Sequence, residues 1–477
     1  MPTASKSRKA EISEGLTKSL KREEKVLEIV DVSLPDGFGV GKEEGFVYFV
    51  PGAVAGDIVR IGIRKRDRRF SVGDILEIIR PSSHRAQPFC GHFGSCGGCT
   101  LQHIAYDRQL EIKENHLRQA LARIGGVDLE SVEIAPIVPA PHQQWGRNNI
   151  ELSFGRGKSG LVLGLRERAA PGKSYEGKVV PLSQCPAFST AIDSIVPVVS
   201  EYFNRSGLTP YDPGRKKGIL KHLLLRESKS TGRIMAVLET APGPIISLSA
   251  LWHELRERVP RLGCFYRAVS KGSVDTGLYD YEEHLFGAAS IEESVAGLTF
   301  HIYPQSFFQA NTAVAELLYE SVLEVARLGK GDKVLGLYSG MGPLEIILSR
   351  NARRVTGVDS NPANIINARL NCQVNDIMNC VFIEGKVEQL KSRLPSGPDL
   401  LVIDPPRGGV SPQGLSLAVS LNPSKFIYIS CNPSTLARDI GLLRGSGYRP
   451  VKILPFDAFP HTSHLETLVL LETGGPF

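Results

Sequence analysis

From about residue 315 onward the chain alternates short apolar runs with helical patterns, and no other feature narrows its possible folds as much. The runs fall at Lys333 to Tyr338, Arg354 to Asp359, Cys380 to Ile383, Asp399 to Asp404, Lys425 to Ser430, Val451 to Pro455 and Glu466 to Leu471. Strands separated by helices build a doubly wound, mostly parallel sheet, because a parallel pair needs a long crossover and a helix supplies it. Only ten residues, without a helical pattern, join the last two runs. That is too short for a crossover helix, so these two strands are expected to pair antiparallel, with their turn at the carboxyl edge.

Ligands of open α/β sheets bind at that edge, and the residues at the strand ends are those with chemistry. The first run leads into Gly336-Leu-Tyr338-Ser339-Gly340-Met-Gly342-Pro343, and Asp359 follows Gly340 by nineteen residues. Glycines there let the backbone approach a nucleoside, and an acid at this spacing accepts the ribose hydroxyls. The missing third glycine of the dinucleotide pattern favours S-adenosylmethionine over NAD. The fourth run ends in Asp404-Pro-Pro-Arg407-Gly-Gly409, whose prolines stop the strand and hold Asp404 at the edge. The fifth ends in Ser430-Cys431-Asn432-Pro433, which puts a cysteine just before a helix. Helix N-termini favour negative charge, so Cys431 is expected to be an activated thiolate nucleophile. Glu466 opens the last strand, after His461 and His464, and a hairpin would return it to the same edge.

The first half of the chain has a different texture. Residues 1–20 read as a polar, disordered tail, and residues 21–82 as short strands with glycine-rich turns, which suggests a small OB-like barrel. Arg64, Lys65, Arg66, Arg68 and Arg69 form a basic run in it, and the net charge is +6. Both fit nucleic-acid binding. Residues 83–295 read as a mixed, β-rich central domain with a helix at about 104–124, placed to pack on the catalytic domain. Leu110, Leu117, Leu121 and Ile124 are its apolar positions. With 42% hydrophobic and 22% charged residues, neither disorder nor a coiled coil is expected. No apolar run is long enough for a membrane helix and no signal-like stretch opens the chain, so a cytoplasmic protein without a membrane partner is expected.

Three of the eight cysteines, Cys90, Cys96 and Cys99, lie in one glycine-rich loop. A tetrahedral zinc or a cubane cluster needs a fourth thiolate, with Cys185, Cys264, Cys372 and Cys380 as the candidates. A triplet with one remote cysteine fits an iron-sulfur cluster better than zinc, and Cys185 in Leu-Ser-Gln-Cys-Pro suits it best. Outside that role, Cys264, Cys372 and Cys380 read as small buried hydrophobes.

Together these motifs resemble the S-adenosylmethionine-dependent RNA (uracil-C5)-methyltransferase family, in particular its iron-sulfur branch acting on 23S rRNA. Phe49-Val-Pro-Gly52 and Pro81-Ser-x-x-Arg85 are similar to parts of its TRAM barrel, and Cys90, Cys96, Cys99 and Cys185 to its four 4Fe-4S ligands. Phe308-Gln309-x-Asn311 resembles the segment entering its catalytic domain, Tyr428 to Asp439 its nucleophile signature, and His461-Thr-x-His464-x-Glu466 its closing motif. The resemblance implies a class I methyltransferase domain over 296–477. It implies Cys431 as nucleophile, Glu466 as base, and Gln309, Tyr338, Gly340, Gly342, Asp359 and Asp404 around the cofactor. Arg407 is expected at the uracil oxygen. The expected partner is structured RNA, most simply 23S rRNA and not DNA, bound by a monomer.

The alternatives are a tRNA uridine methyltransferase, or an RNA-binding or ribosome-assembly protein that has lost catalysis. The latter arises because Gly336, Ser339 and Pro343 stand where the family usually has Asp, Cys, and Thr or Asn, and Asn149 where it usually has Lys. On this reading the cofactor loop has lost contacts, and Asp at 336 with Thr at 343 would restore affinity.

Overall fold

The structure, a computed structural model, describes residues 23–158, 160–168, 178–272 and 279–473, so the tail expected over 1–20 lies outside the described residues. Two compact units divide the chain, the first ending at Arg85 and the second beginning at Ala86.

In the first unit the strands Glu24–Ser33, Phe38–Glu43, Phe46–Pro51, Ile58–Arg66 and Phe70–Arg80 close into a barrel in the order first, second, third, fifth, fourth. Alternate residues such as Leu27 and Ile29, Tyr48 and Val50, and Val59 and Ile61 fill its interior, the period-2 arrangement of a strand buried on one face. Gly73 is required by packing, since a Cβ there would come within 2.5 Å of the Ile61 side chain. The two barrel motifs meet at the fully buried Asp57. Arg85 donates to both its oxygens, Nε at 2.8 Å and Nη2 at 2.7 Å, and Nη2 also donates to the Gly52 carbonyl at 3.0 Å. In the basic run, Arg64 pairs with Asp74 at 3.0 Å and Arg66 with Glu23 at 2.7 Å, whereas Arg68 and Arg69 are exposed and have no ion pair among the described residues.

The second unit carries two large sheets. One has seven strands, Tyr281–Gly287, Leu262–Val269, Ile234–Thr240, Leu220–Glu227, Asn149–Gly157, Gly160–Arg166 and Val179–Pro181 in spatial order, with helices Ile192–Ser206 and Ser249–Arg258 sharing its core. The other is the catalytic sheet, with strands β1 (Lys333–Leu337), β2 (Arg354–Asp359), β3 (Cys380–Glu384), β4 (Leu400–Ile403), β5 (Lys425–Ser430), β6 (Tyr448–Phe456) and β7 (Glu466–Thr473). Their order is 3-2-1-4-5-7-6, and Glu133–Ile134 adds beside β6. The first five strands run parallel and β7 lies antiparallel to both β5 and β6.

The helices around this sheet are α1 (Tyr106–Arg123), α2 (Thr312–Ala326), α3 (Pro343–Ser349), α4 (Pro362–Val374), α5 (Pro412–Ser420) and α6 (Pro433–Gly445). They cover both faces. Val334 and Val355 pack with residues of α2, α3 and α4, while Leu335 and Leu337 pack with residues of α1, α5 and α6. The buried face of α1 differs from the apolar stripe expected of it. Ile124 is 52% exposed, and the buried positions include the polar Gln109 and Lys113 beside Ile112, Leu117 and Leu121. Their partners lie in the segment before β7, which is why an apolar pattern could not reveal that face.

Candidate active site

Strand order turns outward between β1 and β4, and a crevice opens there at the carboxyl ends. The loop after β1 turns tightly: Tyr338, Gly340 and Gly342 all have left-handed φ, at 61°, 55° and 82°. At Gly342 only glycine fits, because a Cβ would come within 2.4 Å of the Phe382 ring. Asp359, at the end of β2, braces this loop, accepting from the Gly340 N–H at 2.9 Å, the Asn361 N–H at 2.7 Å and Asn364 Nδ2 at 3.2 Å. Gln309 lies before α2 and its Nε2 donates to Asp404 Oδ2 at 2.9 Å. Asn148, which the sequence did not single out, positions it by donating to the Gln309 carbonyl at 2.7 Å. Burial pushes the Asp404 carboxyl up to about 7, against the pull of the Gln309 hydrogen bond.

Antiparallel register assembles the other half. Ser430 on β5 pairs with Thr467 on β7, so one step outward Cys431 faces Glu466. Burial raises the Cys431 thiol to about 12, with Glu466 and Asp404 adding to the rise and Arg407 opposing it. Loss of water and the neighbouring acidic groups thus work against the activation expected from the helix N-terminus. Glu466 is itself raised well above the carboxylate range by burial and then Asp404. Arg407 opposes the rise at both Cys431 and Glu466. Its Nη2 lies 3.3 Å from His464 Nε2, and burial lowers His464 to about 4, so the ring is neutral and accepts.

Residues outside the expected set hold this geometry. Asn432 Nδ2 and Thr435 Oγ1 each donate to the Arg407 carbonyl at 3.2 Å, and Asp439 accepts from the Val410 N–H at 2.9 Å and Tyr428 Oη at 2.6 Å. The segment leading to Glu466 is held from α1. Lys113 Nζ donates to Asp457 Oδ1 at 2.5 Å and the Phe459 carbonyl at 3.0 Å, Tyr106 donates to Asp457 at 2.8 Å, and the His461 N–H donates to Gln109 at 3.0 Å. The N–H groups of Thr100 and Leu101, directly after Cys99, both donate to the His461 carbonyl at 2.9 Å.

Cys90, Cys96, Cys99 and Cys185 line one cavity of about 240 Å³, with Arg147 and Asn149 also on its wall. Cys264, Cys372 and Cys380 belong to another hydrophobic core and are not on that wall. Burial raises Cys96 to about 11 and Cys185 to about 12. Among the described residues, no group of three or more His, Cys, Asp or Glu is arranged to clasp a metal ion. Arg147, half-buried on that wall, has an Nε without a hydrogen-bond partner among the described residues.

The crevice where the strand order turns, with Cys431 and Glu466 beside it, is the architecture of an S-adenosylmethionine-dependent methyltransferase. The family described as tRNA (Uracil-5-)-methyltransferase matches residues 290–396 and 398–474. A protein of Clostridium acetobutylicum named RNA methyltransferase is 33% identical over 440 residues, 91% of this chain and 94% of that relative. One from Clostridium tetani, similarly named, is 34% identical over 443 residues, 92% and 94% of the two chains. The crystal structure of Pyrococcus abyssi tRNA (uracil-54, C5)-methyltransferase in complex with S-adenosyl-L-homocysteine is 29% identical, covers 94% of this chain and 100% of its own, and superposes with a TM-score of 0.71. The chain belongs to the RNA (uracil-5-)methyltransferase family. Among the described residues no helix is long and apolar enough to cross a membrane.

Proposed function

We propose that this chain forms 5-methyluridine in 23S rRNA in the cytoplasm, with Cys431 as nucleophile and Glu466 as base. The observation that supports it most is the opposition of these two residues across β5 and β7, beside Asp404 and Arg407. Uracil C5 is a poor nucleophile. Cys431 gives its thiol proton to solvent and adds to C6 as the thiolate, which turns C4–C5 into an enolate, and Arg407 is the cation available to its oxygen. Bound S-adenosylmethionine supplies an electrophilic methyl group. Gln309, Tyr338, Gly340, Gly342, Asp359 and Asp404 would hold it. Glu466 then removes the C5 proton, and the C6–sulfur bond breaks to return Cys431. A carboxyl raised by burial is, once ionised, a stronger base than an exposed one. The target base must leave its stack to reach the crevice, and the barrel would hold the flanking RNA by its backbone.

Cys90, Cys96, Cys99 and Cys185 are assigned to a 4Fe-4S cluster. Their shared place on the wall of one cavity is what supports this reading. An anionic cluster would also complement Arg147 on the cavity wall. Its role is structural: the loop it ties carries Thr100 and Leu101, which hold the His461 carbonyl on the approach to Glu466.

A tRNA substrate is the second reading, favoured by the similarity to the Pyrococcus abyssi enzyme. Methyl transfer to 23S rRNA and tRNA transcripts, with 5-methyluridine mapped by mass, separates the two. Glu466→Gln should accumulate a methylated protein–RNA adduct that survives denaturing gels, and Cys431→Ala should form none. Wild-type turnover by Glu466→Gln would move the base to another residue, and methylation by Cys431→Ala would end the covalent mechanism.

A further inference from the structure

Position 336 has no side chain, yet the space beside it is filled. A Cβ built on Gly336 would lie 2.1 Å from Glu345 Oε1 and 2.8 Å from its Cδ. Glu345 therefore returns from α3 and puts its carboxyl where a side chain on β1 would stand. It is 3% exposed and its Oε2 has no hydrogen-bond partner. Ser339, 8% exposed, likewise has an unpartnered Oγ. Both line one narrow cavity with Gln309, Tyr338 and Asp404. Two buried polar groups left open into a single cavity cost stability unless a ligand or water completes them.

We infer that Glu345, with Ser339 beside it, binds the α-ammonium of the cofactor's aminoacyl tail. The inference rests on the proposed use of S-adenosylmethionine. Carboxylate and hydroxyl oxygens facing a cavity call for a donor bearing hydrogens, and the ammonium has three. The sulfonium has none, and its methyl must face the Cys431 side of the crevice. The glycine at 336 is then not a lost contact but the vacancy that admits Glu345, so Asp at 336 with Thr at 343, expected to restore affinity, would not do so while Glu345 is in place. It would drive two buried carboxyls into one another.

The test compares S-adenosylhomocysteine, which keeps the ammonium, with 5′-methylthioadenosine, which lacks the aminoacyl tail, by titration calorimetry on the full chain. Glu345→Gln should weaken S-adenosylhomocysteine at least tenfold and leave 5′-methylthioadenosine within twofold, the latter also showing that the fold is intact. Gly336→Asp alone should weaken S-adenosylhomocysteine as well. The double variant Gly336→Asp/Glu345→Thr, which moves the carboxylate to the strand, should recover most of the loss. Unchanged binding of S-adenosylhomocysteine by Glu345→Gln, or equal loss for both ligands, overturns the inference while the cofactor reading stands. A wild-type chain that binds neither ligand defeats the cofactor reading itself.

Discussion

If burial holds Cys431 protonated in the free protein, its reactivity toward iodoacetamide should be low and set by pH. A thiol at about 12 is ionised at pH 7.5 to only a few parts in 10⁵, against roughly a tenth for an ordinary thiol near 8.5, a deficit of about 3,000-fold. A more basic thiolate is also intrinsically more nucleophilic. With a Brønsted slope of about 0.4 to 0.5, that recovers roughly 25- to 55-fold. Alkylation of Cys431, followed by peptide mass mapping to separate it from the other cysteines, should thus run about a hundredfold slower than for free cysteine at pH 7.5. The sign follows from the raised thiol: the rate should climb about tenfold per pH unit from 6 to 10 without a plateau. Arg407→Gln, which removes the one opposing cation, should slow it further. A rate matching free cysteine, or a plateau below pH 9, would show that the thiolate is preformed and that the helix outweighs burial after all.

Lys113→Met should cost about 3–5 kcal/mol in urea unfolding, because it leaves Asp457 buried without its ion partner. Lys113→Met/Asp457→Leu should recover most of that, and a loss under 1 kcal/mol for the single variant would mean that the pair is not buried as described. In the barrel, Arg68→Ala/Arg69→Ala should lower the salt slope of RNA binding by about 1.5, whereas Arg64→Ala, whose partner is Asp74, should change it less; equal slopes would mean that the run does not meet phosphates. Anaerobically purified protein should be brown with about four irons per chain, and Cys185→Ser should lose them, while one stoichiometric zinc would overturn the cluster.

The catalytic sheet was legible because each strand announces itself by an apolar run and each crossover by a helical pattern. Chain order alone then places Asp359, Asp404 and Cys431 at one edge, and the short connection before Glu466 returns it there. Contacts between distant segments left no local trace. Gln109 and Lys113 interrupt the apolar stripe of α1, and their partners His461 and Asp457 stand 352 and 344 residues away, so the helix reads as less buried on that face than it is. The groups that oppose ionisation of Cys431 were hidden for a related reason. A helix start is visible in sequence, but the loss of water and the two carboxyls that oppose ionisation exist only in the folded crevice.

Glu345 is the sharpest instance, since position by position the chain shows only a glycine where an acid is usual and an acid nine residues later on a helix. Neither residue means anything alone. Helix α3 begins directly at the end of the Gly340 to Gly342 turn, and its third residue points back across that turn toward β1, so a carboxyl on the helix and one on the strand compete for the same volume. On the inference above, the glycine that reads as a loss and the acid nine residues on belong to one feature. A departure in the cofactor loop becomes evidence of impaired catalysis only after the space that it leaves has been examined for a replacement.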